Sequence, residues 1–356
     1  MKELLQKYNI EDKIIAAGVS GGADSLALVL MANEQLAPLG KKIIALTVDH
    51  GLRPSSADEA AYVAQIMAQH NIEHHILHWE GKKPTTGIEE AAREARFALM
   101  SNWCQENDVR CLMLAHHSQD QAETFLMRLQ RGSGLQGLCA IREIAERRGL
   151  LILRPLLKMP PQELQNYLQA RNIRWIEDES NEDDRFLRNK IRHFLPVLEQ
   201  NIGISVADIC HTAERLQSAD DYIQSQVSHF FATQVQSEYS ADITCFDFDA
   251  YKSLHKELQF RILGALLEKI YIPRAENVLR LQQRLMEDSF KCATLGKKEI
   301  LLYEGKIWLI PELAVKQKTY RAEWKEFTTQ NPQYKKQKLP PKVKFAIIHA
   351  WRKNDI

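Results

Sequence analysis

The stretch Gly18-Val-Ser-Gly-Gly-Ala-Asp-Ser25 is where this chain first looks chemical. Adjacent glycines let a backbone approach a ligand closely and adopt conformations closed to other residues. A helix is expected just beyond them, and its first N–H groups and positive dipole end favour an anion. Ser20 and Ser25 add hydroxyl donors, while Gly21, Gly22 and Ala23 offer backbone N–H groups, so a phosphate is a suitable guest. Asp24 is the odd member, because a carboxylate repels phosphate unless a cation lies between; Mg2+ resolves the conflict. No Lys follows the glycines, which excludes the Walker-type loop. The plainer alternative is a glycine turn with a Ser/Asp helix cap.

Further candidates recur down the first two hundred residues. Val48-Asp-His50-Gly-Leu52-Arg53 closes an apolar run, and Arg93 and Arg96 share a helix face at i, i+3. His116-His117-Ser-Gln119-Asp120-Gln-Ala-Glu123 follows another run, with Arg131-Gly-Ser-Gly134 beyond it. Arg154-Pro-Leu-Leu157, Asp178-Glu-Ser-Asn181 and Arg188-Asn189-Lys-Ile-Arg192 complete the set. Each has an ordinary reading: solvated helix charges, sheet-edge histidines, an acidic first helical turn, or an exposed basic helix.

The elements that must position these residues alternate. Apolar runs at 13–19, 42–48, 72–79, 110–115 and 150–153 read as strands, with helical patterns at 24–36, 56–70, 88–107 and 119–129 between them. Continuous apolar strands separated by amphipathic helices predict a doubly wound, mostly parallel α/β sheet covered on both faces. After Pro155 the pattern changes. A helix opens at Pro160-Pro161, the segment 177–188 reads as loop, and 205–236 reads as helix throughout. Helices at 254–270 and 275–287 and a hairpin of 298–303 with 306–310 predict a smaller α+β unit. The reading divides the chain into a catalytic domain at 1–215, a helical linker with the small substrate-binding domain at 216–312, and a basic aromatic tail at 313–356 with little periodicity before Val343.

Bulk properties narrow the class. With 356 residues, 45% hydrophobic and 26% charged, the chain is neither wholly disordered nor fibrous. A single core seldom grows beyond roughly 250–300 residues, so two domains are expected. The net charge of +1 conceals an asymmetry: from Lys316 onward eleven Lys/Arg face three Asp/Glu, which leaves the remainder near −7. The six cysteines form no C-x-x-C, as suits a reducing cytosol. The polar N-terminus and the absence of any apolar run of roughly 20 residues predict a cytoplasmic protein without membrane contact.

The Gly18–Ser25 string resembles the PP-loop of the ATP pyrophosphatases, which split ATP into AMP and pyrophosphate and adenylate a substrate oxygen. Taken in order, the downstream motifs resemble the tRNA(Ile)-lysidine synthetases over the first two hundred or so residues. That resemblance implies a Rossmann-like PP-loop fold with ATP and Mg2+. Ser20 to Ser25, His50 and Arg96 would then bind ATP, and Asp24 would hold the metal. Asp24, Arg93, His117 and Asp120 would act in catalysis, while Glu123, Asn181, Arg188, Asn189, Arg192, Lys335 and Lys336 would contact lysine or tRNA. One departure stands out: the family's H-x-D-D-Q-x-E-T has Gln119 here at its first acidic position, so the acidic role falls to Asp120.

The implied reaction adenylates C2 of the wobble cytidine of a tRNA(Ile) with a CAU anticodon, after which free L-lysine displaces AMP to give lysidine. A lysine amine near pKa 10.4 must lose its proton to attack, and His117 or Asp120 is the candidate base. The resemblance leaves room for a homodimer. In the tail, Lys316, Lys318, Arg321, Lys335, Lys336, Lys338, Lys342 and Lys344 interleave with Tyr320, Trp324, Phe327, Tyr334 and Phe345. That mixture suits phosphate contact with base stacking, or merely a solubilising tail. The rival readings are another PP-loop enzyme such as a tRNA thiolase, and a tRNA-binding protein whose site Gln119 has impaired.

Overall fold

A computed structural model describes residues 1–51, 56–81, 83, 87–177, 187–240, 242–268, 274–312, 320–335 and 337–352. They form two units, Met1–Asp220 and Asp221–Ile356. The first runs α1 (Lys2–Lys7), β1 (Ile14–Gly18), α2 (Ala23–Leu36), β2 (Lys42–Asp49), α3 (Ser56–Gln69), β3 (Glu73–His78), α4 (Ile88–Glu106), β4 (Cys111–Met113) and α5 (Ser118–Gln130). It continues with α6 (Leu135–Leu138), β5 (Ile144–Arg147), β6 (Leu150–Leu153), α7 (Pro161–Gln169), α8 (Leu187–Ile202) and α9 (Val206–Gln234), within which the division falls.

The sheet order is β3-β2-β1-β4-β6-β5. The first five of these strands run parallel, and β5 pairs antiparallel with β6. Side chains of β1 and β2 alternate between two cores. Ile15, Ala17, Ile43 and Ala45 pack with α2 and α3, whereas Ala16, Ile44 and Leu46 pack with Phe97, Met100 and Cys104 of α4. Both faces are therefore dry, which is why these strands read as unbroken apolar runs. α2 is buried nearly all round, from Leu26 to Leu30, because α7 covers its far side through Leu164 and Leu168. The sequence reading missed β5. It is a half-polar edge strand joined to β6 through Arg148 and Gly149, both at positive φ, the conformation of a tight hairpin turn.

The second unit comprises β7 (Gln236–Ser240), β8 (Ile243–Asp247), α10 (Phe248–Lys252), α11 (Lys256–Glu268), α12 (Ala275–Leu285), β9 (Cys292–Leu295), β10 (Lys298–Tyr303), β11 (Lys306–Pro311), α13 (Tyr320–Gln330) and α14 (Pro341–Arg352). Its antiparallel sheet is ordered β7-β8-β11-β10-β9. Phe246, Ile300, Ile307 and Leu309 face α11 and α12, while Ile243, Cys245, Trp308 and Ile310 face α13 and α14. The segment that reads aperiodic in sequence thus supplies two helices that close one face of this sheet. Phe327, expected to offer a face to RNA bases, is wholly buried there, with Tyr334 stacked on it at 5.4 Å. A sheet with one uncovered apolar face has more to gain from that ring than solvent does.

Candidate active site

The strand order turns around between β1 and β4, so the loops that leave their carboxyl ends diverge and open a crevice. Both sequence motifs of greatest interest leave from these two strands.

After β1, Val19 N–H donates to Leu46 O at 2.8 Å, prolonging the pairing by one residue before the chain bends. Gly21 then takes φ +87°, and a Cβ there would lie 2.5 Å from Ile176 Cδ1. Its carbonyl accepts from Ile176 N–H at 2.9 Å, so this glycine is required by conformation and by space. Ser20 N–H donates to Ser25 Oγ at 3.0 Å, and that hydroxyl donates to Gly22 O at 3.0 Å, folding the loop over the first turn of α2. Gly22 caps α2 with no side-chain hydrogen bond, which leaves the helix's leading N–H groups for an oxyanion.

After β4, His117 caps α5. Its Nδ1 accepts from Asp120 N–H at 3.4 Å, and Asp120 Oδ2 accepts from His117 N–H at 3.0 Å. The other ring nitrogen, Nε2, lies 3.5 Å from Asp24 Oδ2 and 3.5 Å from Asp120 Oδ2. The imidazole therefore bridges the first turn of α2 to the first turn of α5. Burial works against its charged form, but Asp24, Asp120 and Glu123 outweigh that and raise His117 above its ordinary value. The long Nδ1 contact wants the ring neutral. A proton on Nε2 alone satisfies both sides, and the second proton costs only that weak bond.

Asp120 and Glu123 are held by two arginines of α8. Arg188 donates to Asp120 Oδ1 at 2.5 Å and to Glu123 Oε2 at 2.6 Å, and Arg192 donates to Glu123 Oε1 at 2.7 Å. Burial opposes the Asp120 carboxylate, yet His117 and Arg188 keep it below the usual range. Arg188 is in turn raised, as its two carboxylates overcome its own burial. Glu123 is 0% exposed and committed to both guanidiniums, so it organises the site from behind. Asn189, on the same helix, is buried.

His50, at the end of β2, accepts from Arg96 Nε and Nη2, each at 3.2 Å. Burial and Arg96 depress it to about 4, so its ring is neutral, and its Nδ1 is buried without a partner. Arg93, one turn earlier on α4, is exposed, and its charge is felt at His116 and Arg154. Gln119 makes no side-chain hydrogen bond among the described residues; Asp120 is the one aimed at His117 and Arg188. Lys335 is exposed in the second unit. Leu52, Arg53, Asn181, Lys316, Lys318 and Lys336 lie outside the described residues.

Among the described residues no group of three or more His, Cys, Asp and Glu side chains could hold a metal unaided. Asp24 alone, a carboxylate 38% exposed beside the phosphate cradle, still suits Mg2+, which is commonly held by one or two carboxylates and the oxygens of a substrate phosphate. Three of the thiols are poorly suited to sulfur chemistry. Burial raises Cys104 and Cys111 to about 12 and Cys210 to about 11, leaving little thiolate at neutral pH. No helix among the described residues is long and apolar enough to cross a membrane.

Residues 1–198 match the PP-loop domain family. The chain is 35% identical over 265 residues to the tRNA(Ile)-lysidine synthase of Bradyrhizobium sp. BTAi1, covering 72% of this chain and 74% of that one. The chain belongs to this family. The synthase of Rhodopseudomonas palustris is 37% identical over 257 residues, again covering 72% and 74%. With the Orientia tsutsugamushi synthase the identity is 35% over 263 residues, 72% of this chain but 59% of that longer protein. Among solved structures, the U34-tRNA thiolase NcsA from Methanococcus maripaludis, with its [4Fe-4S] cluster, matches at TM-score 0.52 and 19% identity, covering 60% of this chain and 77% of that one. At that identity the likeness concerns the fold alone, and a lysidine-synthase relationship agrees with the buried thiols here.

Proposed function

We propose that the chain ligates L-lysine to C2 of the wobble cytidine of a tRNA(Ile), consuming ATP and releasing AMP and pyrophosphate. The observation that carries this reading is the crevice itself. One imidazole joins a phosphate-type loop to a buried carboxylate, with His117 Nε2 3.5 Å from both Asp24 and Asp120.

In this reading the cytidine C2 oxygen attacks the α-phosphate of ATP, and pyrophosphate leaves into the Ser20–Ser25 bend, where backbone N–H groups and two hydroxyls receive it. Arg96 or Arg93, on the neighbouring helix, opposes the charge that develops. Mg2+ bound at Asp24 would screen the phosphates from that carboxylate. Lysine then attacks C2 through its ε-amine and AMP departs. Asp120, kept ionised by His117 and Arg188, orients the incoming ammonium and is the group left to accept its proton, because His117 already holds one on Nε2. Arg188, Asn189 and Arg192 of α8 would serve the lysine or tRNA side, and the exposed Lys335 of the second unit would contact RNA phosphates.

The test is mass spectrometry of an AUA-reading tRNA incubated with ATP, lysine and the full chain. A lysine adduct on the wobble cytidine is expected. Release of pyrophosphate without an adduct, or incorporation of sulfur instead, would sink the reading.

A further inference from the structure

Two groups beside the crevice, Arg154 and His116, have no part in the proposed reaction. Arg154 follows β6 directly, immediately before Pro155, at the same carboxyl edge as the other site residues. Its Nη1 donates to Arg142 O at 2.8 Å and its own N–H to Glu143 O at 2.9 Å, so the side chain is anchored at both ends. Its Nε is buried with no hydrogen-bond partner. His116 stands beside it, and its Nδ1 is likewise buried and unpartnered. Arg93 completes the group and makes no hydrogen bond or ion pair among the described residues. Burial and the Arg93 charge pull Arg154 down to about 10. Burial comes first for His116 too; Arg154, Arg93 and Arg188 add to it against Asp120 and hold the ring at about 4.

Two guanidiniums near one another, with unfilled donors, form an arrangement that an anion relieves. Arg188 is the third cation nearby, but Asp120 and Glu123 already occupy it. Position selects among the oxyanions of the reaction. The phosphate bend follows β1, the His117–Asp120 corner follows β4, and Arg154 follows β6: three successive strand ends, each about 4.8 Å from the next. An anion at Arg154 therefore lies two strands from the phosphate cradle, across an acidic centre suited to an ammonium. A free amino acid with a side-chain amine carries charges of that kind, a cation at one end and a carboxylate at the other.

We propose that Arg154, with Arg93 and His116 beside it, binds the α-carboxylate of the amino-acid substrate while the ε-amine faces Asp120. Arg154 is then a specificity residue: it demands an amine that carries a carboxylate and rejects plain diamines. The inference rests on the lysine-ligating reading above.

The test is equilibrium binding to the full chain saturated with a non-hydrolysable ATP analogue, using L-lysine, 6-aminohexanoate, which keeps the carboxylate, and cadaverine, which lacks it. Lysine and 6-aminohexanoate should bind at least tenfold more tightly than cadaverine. Arg154→Gln should bring lysine down to the cadaverine level at unchanged nucleotide affinity, with Arg154→Lys intermediate. Equal binding of lysine and cadaverine by the unsubstituted protein overturns the proposal, and this arm needs no variant to fold. Loss of nucleotide affinity rather than lysine affinity in Arg154→Gln overturns it as well, by assigning the anion to ATP. Failure of every amine to bind has the same consequence, and the adduct assay then reports separately whether the functional reading falls too.

Discussion

Both units bury polar side chains, and one cluster from each makes a useful contrast. In the second unit Gln259 and Gln282 are neutral amides spent on the backbone. Gln259 Nε2 donates to the carbonyls of Lys252 at 3.1 Å and Leu254 at 2.9 Å, and Gln282 Nε2 donates to Lys256 O at 2.8 Å and to Gln259 Oε1 at 3.1 Å. Tyr251 Oη closes the group by donating to Gln259 O at 3.1 Å. In the first unit a cluster of titratable side chains gathers at one edge of the sheet, and some atoms there stay unpartnered: His50 Nδ1, His116 Nδ1 and Arg154 Nε. Equal burial thus has two meanings. A saturated neutral network holds a fold together, whereas a charged network with unfilled positions is arranged for something that is not yet there.

The hardest test of that contrast is Glu123→Ala. It leaves Arg188 and Arg192 facing an empty buried site, so a loss of about 3–5 kcal/mol in urea unfolding is expected, with turnover abolished. Phe327→Ala should cost a comparable 3–5 kcal/mol through the cavity it opens, yet leave ATP affinity as it was; unaltered unfolding would mean that α13 is not packed on the sheet. Gln259→Ala, which strips partners from several carbonyls, should cost about 1–3 kcal/mol, again without change in ATP affinity.

The pH dependence separates the units more finely. His117 is raised in the folded chain, so its contribution to stability is complete below its unfolded value near 6.5 and fades as pH climbs through the folded value. Asp120 is lowered, so its contribution holds above about 3.9 and disappears as pH falls through the folded value. His117→Gln should therefore flatten the decline in stability on the alkaline side of pH 6.5, measured by denaturation at pH 6 and pH 8. An undiminished decline would place its origin elsewhere. Gln119→Asp should do least to stability, because Gln119 holds no partner among the described residues; adduct formation compared between the two proteins shows whether a carboxylate there speeds the reaction.

Much of this was legible in the residues. Five apolar runs mark five strands because a sheet covered on both faces needs apolar side chains in every direction, and Gly21 marks a bend that only a glycine can make. What stayed hidden depends on contacts distant in sequence. Nothing near Glu123 announces that two arginines 65 and 69 positions later will enclose it. Arg154 belongs to a motif without an assigned role until the sheet order sets the end of β6 beside the end of β4. The half-polar β5 has no periodicity to declare it, and the helices of the tail acquire their meaning only from the sheet face they cover. Periodicity reports what an element does with its own neighbours; it does not report which remote element will need its side chains.

The packing of the tail has a further consequence. Phe327 is in the core, Tyr334 lies flat against it, and Trp324 is half-buried with the Lys344 ammonium 5.5 Å from its ring. Lys335 and Lys338 stay outside without such companions. Cations of that kind attract any polyanion, and such attraction weakens steeply as ionic strength rises. Contact of that kind would lengthen a visit without checking the visitor's identity.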